Sequence, residues 1–263
     1  MAHDEGIHHE EVTTPEQTAD SSRRRFLGQA GLGLLGLGLT GGALAQGIAP
    51  TEKPLTPPEE KQPFPPGQRV GWAVVGLVEF ALGQVLPALR EARKSRLVAL
   101  VSGTPEKARR VAEQNGVAQR NVYTYQNFDS IRDNPEIDVV YIVLPNGLHA
   151  EYTIRAFGAG KHVLTEKPMA NTSAEARQMI AAGRAANRKL MVAYRARFEP
   201  RHVEVARLTQ ARVLGNPRQM IGEFVQNQGS PNQWRLDREL AGGGSLPDIG
   251  LYPLNFSRFV TGE

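Results

Sequence analysis

Residues 70–83 read VGWAVVGLVEFALG, an apolar run followed by a glycine-containing turn and the start of a helical pattern. The run from Trp72 to Val75 is long enough for a buried strand. After the turn, apolar residues recur at the spacing of one helix face, at Ala81, Val85, Leu86 and Leu89. The stretch therefore predicts a strand, a tight turn at Gly76 and a helix.

The same alternation of strand and helix continues to residue 193. The pattern predicts further strands at 97–101, 139–144, 162–165 and 190–193. It predicts helices at 105–115, 150–159 and 173–187, the first with Thr104 as N-cap and Pro105 in its first position. Such alternation implies parallel strands joined by right-handed crossovers. The predicted fold class is α/β, a Rossmann-type doubly wound parallel sheet.

The composition fits a globular protein and excludes several kinds of site. The chain has 263 residues, 40% of them hydrophobic, and a formal net charge of +4. It has no cysteine, so disulfides, zinc–thiolate sites, iron–sulfur clusters and thiol nucleophiles are excluded. The six histidines show no metal-ligand spacing, and no metal is predicted. No Lys/Arg block is interleaved with aromatic residues, so no nucleic-acid partner is predicted.

Residues 1–69 differ in kind from the rest. Residues 22–27, SRRRFL, precede an uncharged Gly/Leu/Ala run, and Ala43-Leu44-Ala45 supplies a small-x-small cleavage signal. Residues 1–45 thus resemble a leader for the twin-arginine export machinery, which predicts a periplasmic protein. A stable membrane anchor is disfavoured because the run is rich in glycine. Residues 46–69 form a proline-rich arm, either a solvated linker or a strap over a neighbouring subunit.

The turn after the first strand is where a dinucleotide pyrophosphate binds in such a sheet. Compared with the pattern G-x-G-x-x-G/A, Gly76, Leu77 and Ala81 fit, but Val78 stands in place of the second glycine. A side chain there obstructs close approach of the backbone to the phosphates, and Glu79 adds a negative charge. A plain strand–helix turn accounts for this stretch as well as a cofactor site does.

The end of the second predicted strand favours NADP over NAD. An NAD site places Asp or Glu there to hold the ribose 2′-hydroxyl. This chain has Ser102 and Gly103 instead, followed by Lys107, Arg109 and Arg110. A hydroxyl and nearby cations suit a 2′-phosphate, although Arg109 and Arg110 also fit the solvated face of a helix.

Four motifs in order carry a resemblance to a known family. They are LVSG at 100–103, LPN with HAE at 144–151, GKHV with EKP at 160–168, and AGGGSL with DIG at 241–250. Together they resemble the glucose–fructose oxidoreductase / inositol dehydrogenase (Gfo/Idh/MocA) family, over about residues 70–263. Tyr252, residues 233–236 (QWRL), the arm and the leader are most similar to its glucose–fructose oxidoreductase branch. The resemblance implies a dinucleotide-binding domain at 70–195, and at 196–263 the beginning of an α+β domain with a mainly antiparallel sheet.

The resemblance also implies catalytic roles for three residues. Lys167 is expected against substrate and nicotinamide, and it follows a predicted strand's carboxyl end, where open parallel sheets bind ligands. Tyr252 is expected to exchange the substrate's proton, and Asp248 to help hold the sugar. Asp248 and Tyr252 are four residues apart and would share a helix face, but Pro253 is expected to break or kink that helix. Alternatively, Asp248 only completes a capping box begun by Ser245.

Other candidates are expected at the cofactor. The segment with Pro145, Asn146 and His149 borders the nicotinamide ribose in the family, although Asn146 could equally be a helix N-cap. Glu166 is expected to orient Lys167 or contact the cofactor. Arg195 follows a strand end and could hold a sugar or phosphate oxygen. The remaining two, which resemble a segment near the adenine end, are Trp234 and Arg235.

These residues predict an exported NADP-dependent oxidoreductase that converts an aldose to its lactone, with a firmly held cofactor that a second sugar could reoxidise. The alternatives are a family dehydrogenase of a polyol or other sugar with exchangeable NAD(P), and a non-catalytic sugar- or nucleotide-binding protein. Domains of the second type need about 100–150 residues. Residues 198–263 fall short of that length, so a truncated or partial chain is expected. A complete second domain would predict a homo-oligomer.

Overall fold

The computed structural model describes residues 65–213, 215–226 and 233–263. The predicted leader and all but the end of the proline-rich arm lie outside the described residues. Within them, six strands form one sheet: β1 (Val70–Val75), β2 (Ser95–Val101), β3 (Val122–Tyr123), β4 (Val139–Ile142), β5 (His162–Thr165) and β6 (Leu190–Val192).

The sheet is doubly wound, as predicted. Its order is β3-β2-β1-β4-β5-β6, and every pairing is parallel. The strand order reverses between β1 and β4, because the chain first builds outward from β1 through β2 and then crosses to its other side. Val75 pairs with both Val101 and Ile142, so the carboxyl ends of the central strands are level. The loops that follow β1, β2 and β4 therefore meet at one edge.

Seven α-helices are described, with shorter helical turns between them. They are α1 (Leu86–Glu91), α2 (Pro105–Gln114), α3 (His149–Gly158), α4 (Ser173–Ala185), α5 (Pro200–Gln210), α6 (Arg238–Ala241) and α7 (Leu251–Thr261). Turns of π-helix, at Ala81–Val85 and Leu246–Gly250, precede α1 and α7. Single 3₁₀ turns lie at Pro66–Gln68, Gln119–Asn121, Phe128–Asp133, Asn146–Leu148, Arg195–Phe198 and Trp234–Leu236.

The two faces of the sheet bury separate apolar clusters. Alternate residues of β1 point to opposite faces, so Val74 packs with residues of α1 and α2, whereas Val75 packs with residues of α3. Both valines are fully buried. The covering of both faces explains why the strands read as continuous apolar runs in the sequence.

The predicted elements are confirmed, with shifted ends. The strand predicted at 139–144 ends at Ile142, and the helix predicted at 173–187 ends at Ala185. Strand β3 was not predicted, because two residues are too few to show a periodic pattern. Thr104 is at the N-cap of α2, but its side chain makes no capping hydrogen bond.

Residues 196–263 contain helices in their described parts. Within 196–213, 215–226 and 233–263 the structure has no strand, and the antiparallel sheet expected of the second domain stays a prediction. Residues 216–226 are exposed and have no regular secondary structure, and their backbone groups make no hydrogen bond to another described residue.

Helices α6 and α7 belong to the carboxyl edge of the sheet. The Asn171 amide after β5 donates to the Glu239 carbonyl in α6 at 2.8 Å. Gly147, after β4, lies so close to α6 that a Cβ there would be 2.5 Å from the same carbonyl oxygen. Among the described residues, no helix has the length and apolar character to span a bilayer.

Candidate active site

The turn after β1 needs a glycine at its first position. Gly76 has φ 91°, and an added Cβ would lie 2.2 Å from the Val143 carbonyl oxygen. Leu77 and Ala81 bury their side chains in the apolar cluster, so only their backbone faces a ligand. The Val78 side chain is 39% exposed, outside the core.

The end of β2 is closed by an aromatic ring that the sequence did not reveal. Ser102 is buried and its hydroxyl accepts from the Thr104 amide at 3.2 Å. A Cβ on Gly103 would lie 3.0 Å from the Tyr125 ring, so this glycine allows the ring to approach the turn. Burial raises the pKa of Tyr125. Lys107 lies in the first turn of α2.

The side chains of Asn146 and His149 form hydrogen bonds to backbone carbonyl groups of neighbouring segments. The Asn146 amide donates to the Ala241 carbonyl at 2.9 Å. His149 is fully buried, and its two ring nitrogens lie 2.7 Å from the Pro168 carbonyl oxygen and 2.9 Å from that of Leu144. Burial lowers the pKa of His149.

These contacts leave the expected place of the segment beside the nicotinamide ribose a prediction, and they correct the N-cap alternative for Asn146. The side chains of Asn146 and His149 are committed to backbone groups inside the protein, so contact with a nicotinamide ribose would have to come from the backbone or from Pro145. Asn146 is also not a helix N-cap, because it begins a 3₁₀ turn and makes no capping bond.

Lys167 is the centre of a compact charged cluster just beyond β5. Its ammonium donates to Asp248 twice, to the backbone carbonyl at 2.7 Å and to carboxylate Oδ1 at 2.8 Å. The other carboxylate oxygen accepts from Arg235 Nε at 2.8 Å. The Lys167 and Asp248 side chains are only 11% and 13% exposed, so the pair is largely shielded from water.

The cluster keeps Asp248 ionised. Burial opposes ionisation, but the hydrogen bonds and positive charges of Lys167 and Arg235 outweigh it and hold the pKa of Asp248 below its ordinary value. Ser245 makes no side-chain capping bond, so the capping-box alternative for Asp248 is wrong.

Arg235 and Trp234 therefore lie at the Lys167 end of the site. The Arg235 guanidinium is 4.4 Å from the centre of the Trp234 ring while it pairs with Asp248. The direct ion pair with Asp248 holds Arg235 beside Lys167, and the expected contact of these two residues with the adenine end of the cofactor stays a prediction.

Tyr252 joins the cluster through the face of its ring. The Lys167 ammonium lies 5.2 Å from the ring centre, and Phe224 stacks on the ring at 5.3 Å with 14° between the planes. The π-helical turn Leu246–Gly250 runs directly into α7, so Pro253 lies inside one helical stretch that continues to Thr261. The helix does not end at Pro253, so the predicted break is wrong, and the irregularity of this stretch is the π-helical turn just before the proline.

Glu166 is held beside the backbone of Lys167. Its carboxylate accepts from the Tyr141 hydroxyl and, at 3.3 Å, from the Lys167 amide. Burial raises the pKa of Glu166, against the lowering effect of those hydrogen bonds and of nearby Lys167 and Arg195. Burial and the Glu166 carboxylate also raise the pKa of Tyr141 far above its usual range. Arg195 itself is exposed.

In the described ranges, no group of three His, Asp or Glu side chains could hold a metal ion. Two residues with a place at the site, Tyr125 and Phe224, were missed from the sequence. Each lies outside the motifs recognised in the sequence, and only its contacts in three dimensions mark it.

The fold and the site define a class of protein: a doubly wound nucleotide-binding sheet with a lysine, an aspartate and a tyrosine gathered at its carboxyl edge. The chain belongs to the Gfo/Idh/MocA oxidoreductase family. Residues 70–194 match the family model described as "Oxidoreductase family, NAD-binding Rossmann fold", and residues 202–263 match the "GFO/IDH/MocA C-terminal domain".

Several relatives and solved structures are similar over the same region. NADP(+)-dependent D-xylose 1-dehydrogenase of Haloarcula marismortui is 35% identical over 195 residues, which is 73% of this chain and 54% of that protein. Aldose–aldose oxidoreductase from Caulobacter crescentus, solved with glycerol, is 48% identical with a TM-score of 0.69, over 74% of this chain and 58% of that one.

A 3-ketoreductase from Actinomadura kijaniata, solved with TDP-benzene and NADP, is 30% identical with a TM-score of 0.66, over 73% of this chain and 57% of that one. The chain thus spans little more than half the length of these relatives.

Proposed function

We propose that the protein is an NADP-dependent sugar oxidoreductase that oxidises an aldose at C1 to its lactone. The observation that carries this proposal is the Lys167 ammonium, held between the Asp248 carboxylate and the Tyr252 ring. It lies at the carboxyl edge of the sheet, where doubly wound folds bind their ligands. Relatives named as an aldose–aldose oxidoreductase and an NADP(+)-dependent xylose dehydrogenase support the same substrate class.

The residues at the ends of β1 and β2 fit a dinucleotide with a 2′-phosphate. The positive φ of Gly76 permits the tight turn that such a site uses. Ser102 and Gly103 leave no acidic side chain where a 2′-phosphate would be repelled, and Lys107 adds a positive charge in the first turn of α2. One relative has NADP(+) in its name and another was solved with NADP bound, which supports NADP over NAD.

The reaction requires a proton acceptor and stabilisation of a developing negative charge. A nicotinamide bound at this edge would accept the hydride that leaves C1. As its phenolate, Tyr252 would accept the proton of the C1 hydroxyl and become the neutral phenol, and its oxygen makes no hydrogen bond to any described residue that would compete. The Lys167 ammonium favours negative charge on the substrate oxygen as that proton leaves. Asp248 fixes the position of Lys167 and helps to hold the sugar.

A tightly held cofactor would let a second sugar complete the cycle. In this ping-pong scheme the second sugar takes back the hydride and a proton, and it leaves as its reduced alcohol. The name of the Caulobacter relative, which couples two aldoses, supports this scheme. The competing scheme is a dehydrogenase with an exchangeable cofactor, as the name of the xylose enzyme suggests.

One experiment separates these schemes. An aldose is added to the purified protein, and the absorbance of reduced nicotinamide is followed with and without added NADP. Reduction of a cofactor that purifies with the protein supports the two-sugar scheme. A requirement for added NADP supports the dehydrogenase. No reduction in either case, over a panel of aldoses and polyols, contradicts the proposed oxidoreductase and favours a non-catalytic binding protein.

We further propose that the protein is exported by the twin-arginine route and acts in the periplasm. The support is the sequence at residues 22–27 and the cleavage signal at residues 43–45. Replacing Arg23 and Arg24 by lysine should leave the full-length protein in the cytoplasmic fraction, whereas the unchanged chain should appear shortened in the periplasm. Equal periplasmic amounts of both would contradict this route.

A further inference from the structure

The ring of Tyr252 is held by its face and not by its hydroxyl. The hydroxyl makes no hydrogen bond to the described residues, whereas the ring contacts the Lys167 ammonium at 5.2 Å and the Phe224 ring at 5.3 Å. Lys167 is itself fixed by two hydrogen bonds to Asp248. Phe224 is thus the second identified contact that can set the plane of the Tyr252 ring.

Phe224 comes from a segment that is otherwise unpaired. Residues 216–226 are exposed, and their backbone makes no hydrogen bond to another described residue. The segment nevertheless lies close against the start of α7, since an added Cβ on Gly222 would come within 2.5 Å of Pro253 Cβ. Phe224 is 54% exposed, and its neighbour Val225 is 92% exposed. The segment therefore contacts α7 at Gly222 and Phe224, whereas Val225 projects into solvent.

We propose that Phe224 is a positioning residue for Tyr252, an inference that rests on the proposed role of Tyr252 in proton transfer. Proton transfer requires the Tyr252 oxygen to lie within hydrogen-bond distance of the substrate oxygen. A near-parallel ring on one face restricts rotation of the phenol and so limits the positions that its oxygen can take. Loss of the stack therefore lowers the rate of the chemical step more than it weakens binding of sugar or cofactor.

The test compares Phe224→Leu, Phe224→Tyr and the matched control Val225→Ala. Leucine keeps an apolar side chain but loses the ring, so kcat should fall about three- to tenfold, the rate equivalent of a lost aromatic pair. The KM for the sugar and the Kd for NADP should stay within about twofold of their original values. Tyrosine restores the ring and should restore kcat, and Val225→Ala should leave all three constants unchanged.

A spectroscopic readout tests the geometry without turnover. The chain contains six tyrosines. Fluorotyrosine incorporation gives each a fluorine resonance, and Tyr252→Phe identifies the resonance of Tyr252. A stacked ring shifts that resonance, so Phe224→Leu should move it and Val225→Ala should not. Gly222→Ala, which forces the segment away from Pro253, should move it in the same sense as Phe224→Leu.

The outcomes separate this inference from the proposed function. If Tyr252→Phe retains full activity, the role of Tyr252 is wrong and the inference falls with it. If Tyr252→Phe is inactive but Phe224→Leu behaves like Val225→Ala in both kinetics and fluorine spectrum, only the positioning role of Phe224 is overturned. A raised sugar KM with unchanged kcat would instead make Phe224 a contact surface for the sugar, which also overturns the positioning role.

Discussion

At the scale of single residues, the site depends on how two positive charges share the Asp248 carboxylate. Asp248 accepts from Lys167 on one oxygen and from Arg235 on the other. Lys167 and Asp248 are nearly enclosed, while the Arg235 side chain is 33% exposed. Removal of one partner from an enclosed pair leaves an uncompensated charge. Arg235 remains on Asp248 when Lys167 is removed, so a substitution of Lys167 should spare the fold and expose its chemical role.

Lys167→Ala should lower kcat/KM by roughly a hundredfold or more, because it removes the cation that favours the developing negative charge. Steady-state kinetics with the best aldose, together with circular dichroism, measure activity and folding separately. Lys189→Ala is the control, since Lys189 is an exposed lysine of the same sheet region. Equal activities of the two variants would remove Lys167 from the site.

Asp248 should make stability depend on acid pH. Its pKa is lowered in the folded protein, so its contribution is complete above its ordinary pKa and is lost as the pH falls through the depressed value. The difference in free energy of unfolding between the original protein and Asp248→Asn should therefore shrink from about pH 5 to about pH 3. Urea unfolding at each pH measures it. A difference that stays constant or grows toward acid would show that Asp248 is not held ionised.

Val78→Gly tests the departure from the dinucleotide pattern. A glycine would let the turn approach a pyrophosphate more closely, so the affinity for NADP should rise by about three- to tenfold. Equilibrium binding of NADP by fluorescence or calorimetry gives the dissociation constant. Because the Val78 side chain is partly exposed, its removal should change the free energy of unfolding only slightly. An unchanged or weaker affinity would mean that the Val78 side chain does not obstruct the phosphates.

At the scale of elements, the turn between β1 and the following helix is the most constrained connection. Gly76 combines positive φ with a backbone oxygen in the path of any side chain. Gly83, in the π-helical turn that follows, has nothing within 4 Å of an added Cβ. The structure therefore requires a glycine at position 76, whereas it leaves room for a side chain at position 83, seven residues later.

Gly76→Ala should lower the free energy of unfolding by more than about 2 kcal/mol, because the left-handed backbone and the Val143 carbonyl both oppose a side chain. Gly83→Ala should instead raise it by about 0.5–1 kcal/mol, the gain of alanine over glycine within a helix. Chemical unfolding of each variant and of the original protein measures the two changes in the free energy of unfolding. A similar effect of the two substitutions would contradict the geometry of this turn.

The elements themselves could be predicted because each depends on local pattern. Continuous apolar runs gave the buried strands, and their alternation with helices gave the parallel sheet. The inward orientation of Asn146 and His149 could not be predicted, since their hydrogen-bond partners lie in other loops. The ion pair of Arg235 could not be predicted either, because its partner Asp248 lies in the π-helical turn before α7, and the position of that turn relative to β5 is set by the tertiary fold.

Part of the site could also be predicted from local sequence. Lys167 follows the end of a predicted strand, so the topology placed it at the carboxyl edge of the sheet, where ligands bind. The family motifs indicated Asp248 and Tyr252. Phe224 has no such signal, because its stacking on Tyr252 joins residues 28 positions apart through a segment without regular structure. Pro253 misled the sequence argument because the π-helical turn before it, which leads into α7 without a break, has no local sequence signal.

At the scale of the whole molecule, apolar surface is concentrated outside the sheet domain. Ile221 and Val225 are 79% and 92% exposed, in a segment without regular secondary structure whose backbone has no hydrogen-bond partner among the described residues. Unpaired backbone beside exposed apolar side chains is a template for pairing with another chain. The sheet domain, by contrast, covers both of its faces with helices.

This distribution predicts that the 263-residue chain self-associates through residues 216–226. Replacing both Ile221 and Val225 by lysine should reduce the association measured by sedimentation and the fluorescence of a hydrophobic dye, because edge lysines oppose strand pairing. Gln84→Lys with Gln178→Lys adds the same charge at exposed helical positions and serves as the control. If the control reduces association equally, net charge is responsible and the segment is not the contact. If neither pair changes it, the association surface lies elsewhere on the chain.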